Sequence, residues 1–170
     1  MLDSLSNIFK ITELRNKILY TLMMFAIFRA GIHIPVPGVD ASVIESLFTS
    51  GNLFGLLDLF AGGALSKFSI FAMSITPYIN ASIIMQLLQS VVPQFEAWSK
   101  DGEDGRKKIA KVTRYGTVVL GFVQAAGMAF ALRANNALVN NDFLSVFVVA
   151  IILTAGTCLL MWIGEQITAY

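Results

Sequence analysis

Phe60-Ala61-Gly62-Gly63-Ala64-Leu65-Ser66-Lys67, continued by an apolar run from Phe68 to Pro93, decides the fold. The run is long enough to cross a bilayer, but it carries Ser74, Thr76, Pro77, Asn80, Ser82, Gln86 and Gln89. Pro77 lacks a backbone donor and clashes with the preceding turn, so a helix kinks or begins beside it. Asn80 and Gln86 inside a span are costly unless they face protein or a wet cavity. Gly62-Gly63 marks a break, and the apolar piece before it, 53–60, is too short to cross. A short half-helix, a break and a polar-spotted span build a site or a pore at membrane depth. Irregular backbone is tolerated there only where protein or a cavity shields it from lipid.

The rest of the chain is apolar enough to match. Of its 170 residues, 56% are hydrophobic and 14% charged, against roughly 25% charged in a soluble domain. Mean hydropathy is +0.71. These values describe an integral, all-α membrane protein. Cys158 is the single cysteine and has no partner for an internal disulfide, and neither it nor the lone His33 has metal-ligand spacing around it. The N-terminus shows no short apolar segment with a small-residue cleavage site, so no cleaved signal peptide is expected.

Four spans are expected, at about 18–34, 74–92, 115–132 and 143–163. Before the first, residues 1–17 place Leu2, Leu5, Ile8, Phe9, Ile11 and Leu14 at helical spacing among charges, as in an amphipathic helix at the interface. Pro35-Val36-Pro37-Gly38 ends the first span, and Asp40 is an N-cap candidate for a short surface helix. Arg29, near the far end of that span, can snorkel to headgroups. Residues 94–114 are the most charged stretch, with turns expected at Asp101-Gly102 and Asp104-Gly105. Nine of the twelve Lys and Arg residues fall on one side: Lys10, Arg15, Lys17, Lys100, Arg106, Lys107, Lys108, Lys111 and Arg114. By the positive-inside rule that side and both termini are cytoplasmic. The piece from Gly62 to Phe71 then folds into the membrane from the outer side.

Enzymatic chemistry finds little support. Asp58 stands alone, His33 sits at a span end beside prolines, and Ser74, Ser82 and Thr157 lack a positioned base. Gly62-Gly63 is not followed by the Lys-Ser pair of a phosphate-cradling loop. Transport is better supported. Ile75, Ile79 and Ile83 share a helix face, with Asn80 and Gln86 near it and Gln124 of the third span within possible reach. The plainer alternative is polar glue between packed helices. The cations at Arg106, Lys107 and Lys108 equally suit binding to anionic lipid.

Several stretches resemble the SecY family, central subunits of protein-conducting channels. They are Ile34-Pro35-Val36-Pro37-Gly38-Val39-Asp40, Phe60 through Ala72, Thr76-Pro77-Tyr78-Ile79-Asn80-Ala81-Ser82-Ile83-Ile84, Gly105-Arg106-Lys107-Lys108-Ile109, Thr113-Arg114-Tyr115-Gly116-Thr117 and Met161-Trp162-Ile163-Gly164-Glu165-Gln166-Ile167-Thr168. They occur in the family's order from about Ile18 onward. The resemblance implies four transmembrane helices plus a re-entrant half-helix, or plug, forming half of an inverted-repeat channel of ten spans. A fragment is therefore expected; Ala169-Tyr170 departs from the Glu-Arg common in relatives.

By position, the resemblance assigns residues 57–69 to the plug, including Leu57, Phe60, Gly62, Gly63, Ala64, Leu65 and Ser66. It assigns Ile75 and Ile79 to an apolar pore ring, and Asn80, Ile83, Ile84 and Gln124 to a lateral gate that passes signal sequences toward lipid. It places Arg106, Lys107 and Lys108 on a cytoplasmic loop. It implies no cofactor and no enzymatic activity, a bacterial cytoplasmic membrane, unfolded polypeptide substrates, and SecE, SecG, SecA and the ribosome as partners of the intact channel. A lone half would expose its gate face and is expected to self-associate, as a two-fold dimer. The alternative is an independent four-span protein, carrier-like or structural, that reuses the broken helix.

Overall fold

Stretches without an internal proline can run as long helices, and the two longest, both free of proline, set the frame. The computed structural model describes residues 11–49, 56, 59 and 63–170. In order, the named helices are α1 (Thr12–Gly31), α2 (Ala41–Thr49), α3 (Thr76–Val91), α4 (Pro93–Lys100), α5 (Gly102–Ala134) and α6 (Phe143–Ala169). The described residues form no strand; two isolated bridges join Pro35 to Ser69 and Val39 to Leu138. By length and composition, α5 and α6 can cross a membrane.

α5 and α6 run antiparallel and form the main interface. Gly121, Ala125 and Ala129 recur every fourth residue on α5 and are buried, facing a core that includes Val146, Val149 and Leu153 of α6. Small side chains let two helices approach closely where no hydrophobic effect separates them from lipid. Buried hydroxyls on these helices are satisfied locally: Thr117 donates to the Thr113 carbonyl at 2.8 Å and Thr154 to the Ala150 carbonyl at 2.7 Å. α1 leans on α6, where the Tyr20 hydroxyl donates to Gln166 Oε1 at 3.5 Å and the Tyr20 and Tyr170 rings stack at 4.3 Å.

Four boundaries differ from the sequence expectation. α1 runs through the expected boundary at 17/18, because Glu13, Leu14, Arg15 and Lys17 favour helix as well as the apolar residues after them. Residues 1–10 of the expected amphipathic helix lie outside the described residues. The expected span 74–92 is a helix of 16 residues, α3, shorter than the ~20 of a full crossing. Of residues 63–69, expected as part of a half-helix, 63–68 are turns and Ser69 bridges to Pro35. The charged stretch 102–114 is helical and continuous with the stretch expected as the third span. A turn does form at Asp101-Gly102, where Gly102 has φ +67°, but Gly105 serves close approach. A Cβ there would lie 1.7 Å from the Trp98 carbonyl oxygen, so glycine lets α4 fold back onto α5.

Candidate functional site

The helix expected over 74–92 starts only at Thr76 and is preceded by turns. α3 begins with Pro77 in its first turn, a position where the missing donor costs nothing. Pro77 is buried against Gly121, and Ala81 lies over Gly116. Gly121 is thirteen residues from the Ala134 end of α5, about 20 Å at 1.5 Å per residue. α3 therefore occupies only the half of the bundle toward the basic loop. The turns of residues 63–75 pack into the other half, beside α6.

Much of that coil is covered, though Lys67 and Ile75 are exposed. Ala64, Phe68, Ser69, Phe71, Ala72 and Met73 are buried. Phe71 lies against Gly31 and stacks on Phe28 at 5.7 Å. Backbone groups are paired: Val36 N–H donates to the Phe68 carbonyl at 3.0 Å and Ile70 N–H to the Ile34 carbonyl at 3.1 Å. Phe71 N–H donates to the Ser69 hydroxyl at 3.2 Å. Phe68 and Ser74 have φ +41° and +54°, left-handed values that break a helix wherever they fall. A Cβ on Gly156, midway along α6, would lie 1.9 Å from the Ile70 carbonyl oxygen. The coil thus rests directly on the α6 backbone.

The stretch Ile34–Asp40 stitches this arrangement together. Its first half pairs with the coil; its second half pairs with the α5–α6 loop, through Asp40 N–H to the Ala137 carbonyl at 2.8 Å and Val139 N–H to the Gly38 carbonyl at 3.0 Å. Asp40 caps α2 as expected, accepting from the Ser42 hydroxyl at 2.6 Å and the Ser42 N–H at 3.0 Å. Those two bonds hold its carboxyl below the ordinary value of 3.8.

α3 has two opposed faces. Pro77, Ala81 and Met85 are buried, whereas Ile75, Ile79 and Ile83 are 44%, 45% and 50% exposed. A two-residue offset is about 200° around a helix, so the isoleucines look away from the packed side. Ile84 is also exposed, and Asn80 and Gln124 are half-buried. The antiparallel register set by Pro77–Gly121 and Ala81–Gly116 offsets Asn80 from Gln124 along the helix axes. Of the residues expected in a plug, Leu57, Phe60 and Gly62 lie outside the described residues. Gly63 has φ +83° with open space around it, Ala64 is buried, and Leu65 and Ser66 are half-buried.

Toward the basic end, Ile75 and Tyr78 share a cavity of about 500 Å³ with Leu160, Met161, Arg114 and Glu165. Arg114 Nε donates to Glu165 Oε1 at 2.6 Å. A second, more polar groove of about 450 Å³ opens between α3, α4 and α5, with Ser82, Gln86, Gln89, Ser99 and Arg106 in its walls. Lys107 lies 4.0 Å from Asp104, and Lys108 sits 5.9 Å above the Trp98 ring. Lys100 bonds Glu96 at 2.6 Å and lowers that carboxyl's pKa. Sequence reasoning missed the Arg114–Glu165 pair, because 51 residues separate its members. It also missed Gly156, although a glycine inside an apolar helix costs about 1 kcal/mol relative to alanine and so signals a packing reason.

Comparison with known proteins bears on this geometry. The SecY family model matches residues 69–170. The protein translocase subunit SecY of Halalkalibacterium halodurans is 53% identical over 174 residues, covering 99% of this chain and 40% of that protein. Those of Bacillus subtilis and Staphylococcus aureus are 51% and 48% identical, each covering 100% of this chain and 40% of their own length. The chain thus spans about 40% of the length of these relatives.

Proposed function

This chain belongs to the SecY family, and we propose that it forms part of the wall of a protein-conducting channel. In this proposal the isoleucine face of α3 lines the path of an unfolded polypeptide. The observation that carries it is the opposition of faces on one short helix: Pro77, Ala81 and Met85 packed, Ile75, Ile79 and Ile83 open. Branched apolar side chains at a constriction fit any passing side chain and dewet when nothing passes, which limits ion leak.

The remaining assignments follow from that placement. Four crossings are proposed, the second made of coil and half-helix. Residues 57–69 are the plug, with Gly63, Ala64, Leu65 and Ser66 in the first part of the coil, and the second crossing takes the turns from residue 70 to 75. Asn80, Ile83, Ile84 and Gln124 form part of a lateral gate through which signal and transmembrane segments reach lipid. The basic end, with Arg106, Lys107 and Lys108, faces the cytoplasm of a bacterial cell by the positive-inside rule, and both termini lie on that side. The partners of the complete channel are SecE, SecG, SecA and the ribosome.

The test is idle leak in a full-length SecY-family channel carrying this sequence as its matching segment. Ile75→Gly with Ile79→Gly removes two ring side chains and is expected to raise ion conductance across a planar bilayer when no polypeptide is present. Conductance equal to that of the unaltered channel removes the ring assignment.

A further inference from the structure

We infer that Arg114 and Glu165 are a neutralising pair that sets the ion preference of the channel's basic-end vestibule. The inference rests on the channel assignment above and adds a specificity role to two residues outside the isoleucine face.

Arg114 lies twenty residues from the Ala134 end of α5, and Glu165 twenty-two from the Phe143 start of α6. Both are therefore about 30 Å from the loop end, roughly the thickness of a hydrocarbon core. They meet at the inner boundary of that core, in the wall of the cavity that begins at Ile75. Arg114 and Glu165 are the charged residues of that wall. The arginine side chain is 52% exposed and the glutamate 26% exposed, so both are within reach of water in the cavity. At 2.6 Å their charges cancel at a distance, and a passing ion or peptide meets a dipole. A polypeptide channel must pass both basic and acidic segments, and a fixed charge at this point would hold one sign and repel the other.

Removing one partner converts the dipole into a monopole. A unit charge roughly 8 Å from the conduction path in a water-like medium changes the cation-to-anion permeability ratio by about two- to fivefold, less as salt screens it. The experiment uses the full-length channel with Ile75→Gly and Ile79→Gly as a leaking background, and reads the reversal potential in a KCl gradient. Arg114→Gln leaves the Glu165 carboxylate alone and is expected to raise the potassium-to-chloride ratio about two- to fivefold. Glu165→Gln leaves the guanidinium and is expected to lower it by a similar factor. The double variant, and the swapped pair Arg114→Glu with Glu165→Arg, are expected to return to the background ratio. A purely structural clamp gives no opposite-signed shifts, and the double variant is then as impaired as the worse single one. Unchanged ratios, or shifts of the same sign in both singles, overturn the inference while the channel assignment stands. No leak in the background removes the ring assignment on which this experiment depends, and this inference with it.

Discussion

Gly156→Ala tests whether the coil is seated on α6. The new Cβ would fall 1.9 Å from the Ile70 carbonyl oxygen. A backbone atom cannot rotate out of the way, so the coil must retreat by more than an ångström before ordinary contact is restored. Overpacking of this kind costs about 1–3 kcal/mol. The retreat also strains the Ile70 N–H bond to the Ile34 carbonyl, a bond worth about 1 kcal/mol net. The gain from replacing glycine by alanine in a helix, about 0.8–1.0 kcal/mol, offsets part of this. A net loss of about 1–3 kcal/mol shifts a midpoint by about 2–4 °C per kcal/mol at this size. Cys158, the single cysteine, lies on the same helix, so a thiol-reactive fluorogenic probe in detergent reports unfolding directly. Gly127→Ala is the control, because nothing lies within 4 Å of its would-be Cβ. The account expects Gly156→Ala to melt several degrees below Gly127→Ala. Equal midpoints would refute the seating of Ile70 on α6.

Gly105→Ala places a Cβ 1.7 Å from the Trp98 carbonyl oxygen. It should detach α4 and speed hydrogen exchange at 93–105, whereas exchange unchanged there contradicts the packing. Asp40 has its carboxyl pKa lowered on folding, so its capping contribution is present above the unfolded value near 3.9 and is lost as pH falls through the lower folded value. Protection of the first turn of α2 should therefore fall below about pH 4, and Asp40→Asn should abolish that dependence while keeping an acceptor. A cysteine at Ile84 of the full-length channel should crosslink to a signal sequence in transit; active transport without an adduct removes the gate assignment. In isolation the chain is expected to cover its gate face, which includes Asn80 and Gln124, with a second copy, and sedimentation in detergent that finds only monomer contradicts this.

The elements written by composition were legible in the sequence. α5 and α6 follow from apolar length, the start of α3 from Pro77, and the cap of α2 from Asp40 and Ser42. The shared face of Ile75, Ile79 and Ile83 follows from spacing alone. The structure adds that this face is the open one, which spacing cannot tell. The coil was only half legible. Gly62-Gly63 announced a break, but the turns through residue 75 depend on left-handed backbone at Phe68 and Ser74 and on pairing with residues 34–36, a strand of contacts more than thirty residues distant. Gly105 was misread because a glycine beside an aspartate looks the same whether it turns a chain or admits a neighbouring carbonyl. Arg114 and Glu165 sit in separate motifs that carry no mark of each other; only the antiparallel register of α5 and α6 brings them together.

The most direct test is site-specific crosslinking from α3 to a polypeptide arrested midway through the full-length channel. Photoreactive residues at Ile75 and Ile79, on the open face, should each give an adduct with the arrested chain. The same residue at Ala81 or Met85, on the packed face, should crosslink to α5 instead. Adducts of equal yield from both faces, or none from Ile79, would contradict a polypeptide path along the isoleucines.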